Sequence, residues 1–200
     1  MPTRSEQVLE LARQEGLLRP RDLQAHGLSR EYLHRLTEQG LLVQAERGLY
    51  LLPDAPLTEY HSLAEVAKRV PQGVICLLSA LEFHDLTTQA PFQVWLAIDP
   101  KGYRPRFTYP PLRLVRFSGQ ALTSGIERHL IEGVLVKITT PAKTVADCFK
   151  YRHKVGLEVA LEALRETWRA RRATMGELLE AAGVCRVQAA MRPYLEELSL

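Results

Sequence analysis

Two hundred residues with a formal net charge of +3 fit one compact domain or two small ones. Apolar residues make up 46% and charged residues 24%, ordinary globular proportions that exclude disorder. No uncharged apolar run approaches the ~18–20 residues needed to cross a bilayer. The opening Met-Pro-Thr-Arg-Ser-Glu leads into an amphipathic segment, without the apolar stretch or small-residue cleavage site of a secretion signal. The expectation is a soluble, cytoplasmic chain. Cys76, Cys148 and Cys185 are an odd number, lie far apart and show no Cys-x-x-Cys spacing, so buried thiols are expected rather than disulfides or a zinc site.

The first 55 residues read as three helices and a hairpin. Thr3-x-x-Glu6 is a capping box, and Val8, Leu11 and Ala12 recur at helical spacing up to Gly16. Leu17-Leu18-Arg19 fits a short strand. Pro20 suits the first turn of a second helix that carries Leu23 and stops at His26-Gly27. Ser29 can cap a third helix running to about Gln39, with Gly40 as its stop. The segments 42–45 and 49–52 flank Glu46-Arg47-Gly48 as a hairpin with Gly in its turn. That order is the order of a winged helix-turn-helix.

On the third helix Leu33 and Leu36 point one way and Glu31, His34, Arg35 and Glu38 the other. A recognition helix offers its N-terminal residues and outward face to the major groove, and a wing tip can reach the backbone. The candidate DNA-binding residues are therefore Ser29, Arg30, His34, Arg35 and, at the wing, Arg47. Residues 1–58 nevertheless hold seven Lys/Arg and eight Asp/Glu. A DNA reader usually has a basic footprint, so a protein-docking module is the competing reading.

The remaining residues carry 19 Lys/Arg against 15 Asp/Glu. Thr58 can cap a helix through Leu63, Val66, Ala67 and Val70 that Pro71 ends, and Ser79-x-x-Glu82 a second one within 74–84. Strands are expected over 92–98 and 112–117, with a hairpin of 127–131 and 134–138 about Glu132-Gly133. Thr140-Pro141 opens a helix with Ala142, Val145, Ala146 and Phe149 inward. Leu157, Ala160, Leu161, Leu164 and Trp168 form another stripe. Thr174-x-x-Glu177 caps a helix stopping at Gly183, and a last helix runs from about Val187 to Leu198. The fold class expected is α+β: an N-terminal winged helix-turn-helix (1–55), then a larger mixed α/β domain (56–200) whose small, largely antiparallel sheet is flanked by helices.

Positive charge is densest from Lys101 to Arg128, where Lys101, Arg104, Arg106, Arg113, Arg116 and Arg128 meet only Glu127, with Tyr103, Phe107 and Tyr109 interleaved. Basic residues among aromatics suit phosphates and base stacking; a solvated, Pro-punctuated loop is the plainer reading. Lys143, Asp147 and Lys150 at i, i+4 and i+7 are expected on one exposed helix face, and Arg165, Arg169 and Arg172 repeat the spacing on the next helix. These two stripes and residues 101–116 form a candidate nucleic-acid or partner surface. Asp99-Pro100-Lys101 with Asp85 has the outline of a metal-dependent nuclease half-site, but Pro100 disturbs the strand carrying the pair. Ser79, His84 and Asp85 do not converge on a helix as a triad must. The histidines show no metal spacing and no phosphate loop is present, so no metal, no cofactor and no enzymatic activity are expected.

In the order and spacing of several stretches the chain resembles the AbiEi family of antitoxins from type IV toxin–antitoxin systems. These are Glu46-Arg47-Gly48-Leu49-Tyr50, the segment 73–87 from Gly73-Val74-Ile75 to Asp85-Leu86-Thr87, Tyr109-Pro110-Pro111-Leu112-Arg113, Arg116-Phe117-Ser118-Gly119, and 140–149 from Thr140-Pro141-Ala142-Lys143 to Phe149. The resemblance implies a winged helix that binds promoter DNA and represses its own operon; the acidic balance of residues 1–58 makes DNA affinity depend on the second domain's basic surface or on cooperative or dimeric binding of two copies. It also implies a C-terminal domain that counteracts a nucleotidyltransferase toxin without needing a stable complex. A stand-alone regulator of the same architecture and a nuclease-like enzyme using Asp85, Asp99 and Lys101 are the alternatives.

Overall fold

Thr3 opens the first helix through the capping box its sequence encodes: its hydroxyl accepts from the Glu6 N–H at 3.2 Å, and the Glu6 carboxylate accepts from the Thr3 N–H at 2.6 Å. The computed structural model describes residues 2–198, which pack as two compact units. In the first, α1 (Arg4–Glu15) is followed by α2 (Pro20–Ala25) and α3 (Glu31–Glu38). The hairpin β1 (Val43–Glu46) and β2 (Leu49–Leu51) pairs antiparallel, with a bulge between Gln44 and Glu46. Leu18 exchanges both backbone hydrogen bonds with Tyr50, at 2.8 and 3.0 Å, which adds the expected short strand to the wing as a single bridge.

The helices are held by one small core. Val8, Leu11 and Ala12 of α1, Leu23 of α2 and Leu33 and Leu36 of α3 are buried together with Leu18, Leu28 and Leu42. Each fully buried leucine contributes about 1.5–3 kcal/mol. Gly27 and Gly40 take positive φ in the turns that stop α2 and α3. Three helices, a tight turn and a two-stranded wing make a winged helix-turn-helix.

The first unit continues beyond residue 55, through α4 (His61–Arg69), and takes in His129–Val136 from a later hairpin. Lys68 reaches back to Glu15 at 2.6 Å and Asp22 at 3.1 Å. Glu132 accepts from the Thr58 backbone and hydroxyl at 2.6 and 2.9 Å and lies 2.6 Å from His61 Nδ1. These polar bonds, between residues far apart in sequence, explain why the unit does not end where the winged-helix pattern ends.

The second unit comprises Val70–Arg128 and the described residues from Lys137 onward. Its elements are β3 (Val74–Ile75), α5 (Leu77–Phe83), β4 (Val94–Ile98), β5 (Leu112–Arg116) and α6 (Gln120–Thr123). Then the chain enters the hairpin of β6 (Ile126–Ile131) and β7 (Val134–Thr139), whose tip, His129–Val136, belongs to the first unit and whose turn residues Glu132 and Gly133 both take positive φ. The helices α7 (Pro141–Lys150), α8 (Arg152–Val155), α9 (Leu157–Arg169), α10 (Met175–Cys185) and α11 (Gln188–Glu197) complete it. Sheet order is β5-β4-β3-β7-β6.

The sheet is mixed, not largely antiparallel: β4 runs parallel to β5 and β3 parallel to β7, whereas β3 and β4 are antiparallel. Val74 and Ile75, which fall within the 74–84 segment read as holding a helix, form β3, because Val74 pairs with Ala97 of β4 and Ile75 with Leu96 of β4 and Ile138 of β7. Ser79 does not cap α5. It lies inside the helix, buried, where its hydroxyl accepts from the Trp95 N–H at 3.0 Å and fastens α5 to β4. α10 runs past Gly183 to Cys185, and its turn is closed by Arg186 in the left-handed region. Val74, Trp95, Ala97 and Val115 of the sheet pack with Leu77, Val145, Phe149, Leu164, Leu178 and Met191 in the core beneath the helices.

Candidate nucleic-acid interface

The geometry of α3 follows from its sequence. The Ser29 hydroxyl accepts from the Glu31 N–H at 3.3 Å, and the carbonyls of Ser29 and Arg30 take the N–H groups of Tyr32 and Leu33. With Leu33 and Leu36 buried, the opposite face is left to solvent, and Arg30, His34 and Arg35 are all exposed. His34 lies 3.4 Å from Glu38 on that face. Arg35 is more constrained: it donates to the Ser5 hydroxyl at 2.8 Å and its guanidinium rests 4.5 Å above the Tyr32 ring. Nothing in the sequence pattern singled out Ser5, since the tether crosses from α3 to α1.

Arg47 projects from the wing turn, beside Gly48 at φ +75°. Among the described residues neither Arg30 nor Arg47 has a side-chain partner, whereas Arg13 and Arg19 are paired with Glu10 and Asp22. Burial raises the Asp22 carboxyl, but the Arg19 N–H and the Lys68 ammonium outweigh it and hold the group below the ordinary range. Pairs within the segment take one acid and one base each; its acidic balance is offset by Lys68, which lies outside it and bonds Glu15 and Asp22.

The second unit divides its basic residues into exposed, pinned and buried groups. Lys101, Arg104, Arg106, Arg113, Lys150, Arg165, Arg169 and Arg172 are exposed. Arg116 is exposed too, but one guanidinium nitrogen donates to the carbonyls of Asp99 and Gly102 at 2.6 and 2.7 Å. Arg169 is paired with Glu166, and Arg172 falls beyond the end of α9, so the stripe expected on that helix is interrupted.

Lys143 is not a surface residue. Lys143 and Asp147 are 1% and 2% exposed, and the ammonium bonds both carboxylate oxygens. The exposed face expected for Lys143, Asp147 and Lys150 keeps only Lys150, because α7 is packed against α5, α9 and α10. Burial pushes the Asp147 carboxyl up to about 6 against the pull of Lys143. Burial likewise raises the Cys185 thiol to about 12 and the Cys76 and Cys148 thiols well above their usual value, so all three stay protonated.

The residues that outlined catalysis are occupied structurally. Asp99 accepts from the Lys101 N–H at 2.8 Å, a local turn, and His84 is buried with its Nε2 donating to the Thr139 carbonyl at 2.7 Å. Among the described residues no group of three His, Cys, Asp or Glu is placed to hold a metal ion. A cleft of about 410 Å³ in the first unit is lined by Leu17, Leu51, Leu57, His61 and Glu132; one of about 380 Å³ in the second by Asp147, Lys150, Tyr151 and Arg186. Among the described residues no helix is long and apolar enough to cross a membrane.

A three-helix core with an exposed third helix and a wing is a DNA-binding class of domain. Residues 6–53, which contain all of it, match the family described as "Transcriptional regulator, AbiEi antitoxin". That match covers the winged helix alone, so it is this segment that resembles the AbiEi antitoxin transcriptional regulators. Among solved structures it is similar to the RV2827C protein from Mycobacterium tuberculosis, with a TM-score of 0.59 at 14% identity, covering 99% of this chain and 78% of that one. At that identity the likeness shows the fold alone. No curated protein matches the chain.

Proposed function

We propose that this chain is a promoter-binding repressor that reads duplex DNA through Ser29, Arg30, His34 and Arg35 on α3 and touches the backbone with Arg47 of the wing. The observation that carries the reading is the pair Arg30 and Arg47, exposed at the start of α3 and at the wing turn, without side-chain partners among the described residues. An arginine held free at these positions is available for a base edge or a phosphate. The family match over the same segment supports it. DNA reading falls to residues 1–55 and the effector role to 56–200, with Lys150 and the arginines of the second unit adding backbone contacts or meeting a partner.

The same reading makes the chain the antitoxin of a type IV pair, without catalysis of its own, opposing a nucleotidyltransferase toxin. The test has two arms. A gel shift of the full chain on the DNA upstream of its own gene, against scrambled DNA at two salt concentrations, should show sequence preference that survives the higher salt. Equal binding to both DNAs overturns the repressor reading. Co-expression with a neighbouring nucleotidyltransferase should relieve its toxicity, and a chain that fails to do so is a regulator only.

A further inference from the structure

We infer that the connection between β4 and β5 is a binding platform for single-stranded nucleic acid, separate from the winged helix. β4 and β5 are adjacent and parallel, in register from Val94↔Leu112 to Ile98↔Arg116, so the chain must cross back over residues 99–111 before β5 begins. Such a crossover is usually a helix. Here Pro100, Pro105, Pro110 and Pro111 fix φ and remove donors, and the segment forms neither helix nor strand.

What it presents to solvent is specific. Lys101, Tyr103, Arg104, Arg106 and Tyr109 are exposed, Tyr103 by 69% and Tyr109 by 55%, and Phe92, just before β4, by 85%. The Arg106 guanidinium lies 5.4 Å from the centre of the Tyr103 ring, and Arg113 lies 5.6 Å from that of Trp95. Asp99, the one acid of the segment, is engaged by the Lys101 N–H, and Lys101, Arg104 and Arg106 have no ion-pair partner among the described residues. Arg116 pins the start of the loop by its two carbonyl bonds.

A connection that merely returns the chain gains nothing from exposed rings. Rings beside unpaired guanidinium groups stack on bases while the cations take phosphates, and only unpaired bases offer their faces. A protein partner is the other class of ligand for an arginine–tyrosine surface. Residues 99–111, however, set Lys101, Arg104 and Arg106 against the single acid Asp99, a density of like charge that the core of a protein interface avoids and a polyanion neutralises. The ligand class is therefore a single-stranded polynucleotide.

The test is fluorescence anisotropy of the full chain with labelled oligoribonucleotides and oligodeoxyribonucleotides of about 12 nucleotides, within the length one stacking module covers, and with a duplex unrelated to the promoter. Single strands should bind more tightly than that duplex; the ribo and deoxy arms show which sugar is preferred. Tyr103→Ala and Arg106→Ala should each raise Kd at least about fivefold, while Tyr103→Phe keeps the ring and the affinity. Arg30→Ala and Arg47→Ala should leave single-strand binding unchanged, so this inference and the promoter reading fail separately. Duplex binding as tight as single-strand binding overturns the proposal, as do an unaffected Tyr103→Ala chain and complete displacement by polyglutamate at equal charge.

Discussion

Lys143 Nζ lies 2.6 Å from both carboxylate oxygens of Asp147, one turn along α7, and both side chains are almost wholly removed from water. The Cys185 thiol donates to the same carboxylate at 3.2 Å, and the ammonium stands 4.6 Å above the centre of the Phe117 ring. Taking two charges out of water costs several kcal/mol per ion, offset only by near-ideal geometry. The pair therefore ties α7 to Phe117, just beyond β5, and to Cys185 of α10 more than it adds net stability.

Removing one partner leaves the other buried and unpaired. Lys143→Ala and Asp147→Ala should each destabilise the chain by about 3–5 kcal/mol in chemical denaturation. Lys143→Met with Asp147→Leu, which replaces the pair by apolar groups, should recover most of that loss. Single variants within about 1 kcal/mol of the parent would show that water reaches the pair.

Asp147 also predicts a pH dependence. Its carboxyl is raised to about 6 by burial, so between the ordinary aspartate value of about 4 and pH 6 the folded chain keeps a proton that the unfolded chain has lost. Stability then falls as pH rises through that window, by about 2–3 kcal/mol in all, and is level above it. Glu132 runs the other way: burial raises its carboxyl, but the His61 and Thr58 hydrogen bonds outweigh this and hold it low, so its contribution is complete above about pH 4 and lost below. Unfolding midpoints of the parent and of Asp147→Asn, compared from pH 4 to pH 7, separate the two. The Asn variant should lose the decline that the parent shows between pH 4 and 6.

Within the first unit two glycines are required by close backbone approach. A Cβ on Gly16, which has φ +65°, would stand 1.7 Å from the Glu132 carbonyl oxygen, and one on Gly133 would stand 2.7 Å from the Glu15 carbonyl carbon. Gly16→Ala should therefore displace the 132–133 turn, at a cost of roughly 1–3 kcal/mol from strain, and free the Thr58 N–H from Glu132. Hydrogen exchange at Thr58 should accelerate. Gly27→Ala, with equally positive φ but open space around it, should leave Thr58 protected.

The local code of this chain is legible because it rests on short-range chemistry. The caps at Thr3, Thr140 and Thr174, the glycine stops at 27 and 40 and the unbroken apolar run of 94–98 declare themselves within a few residues. The exposure of His34 and Arg35 on α3 was legible for the same reason, from helical spacing, and that of Arg47 from the turn of the hairpin. What could not be read depends on distant partners. Lys143-x-x-x-Asp147 has the spacing of a solvated i, i+4 pair, and only the helices packed over α7 make it a buried one. Val74-Ile75 is too short to show a period, and its strand identity comes from β4 and β7. Ser79 has cap chemistry, yet its partner is the Trp95 backbone. The Arg35 tether needs Ser5, thirty residues upstream.

Arg30, Arg35 and Arg47 are alike in sequence and differ in their contacts, which orders their expected effects on promoter binding. Arg30 is unpartnered at the start of α3; if it meets a base edge, Arg30→Ala costs about 1–3 kcal/mol on the promoter sequence and little on scrambled DNA. Arg47 at the wing turn should instead weaken every sequence and lower the salt slope by about one contact. Arg35 is held by Ser5 and Tyr32, so its placement can be separated from its charge. Ser5→Ala keeps the arginine and releases it, and should weaken promoter binding less than Arg35→Ala does. Binding isotherms at two salt concentrations measure all four variants. If Arg30→Ala and Arg47→Ala both leave promoter affinity and salt slope unchanged, α3 and the wing do not face the DNA.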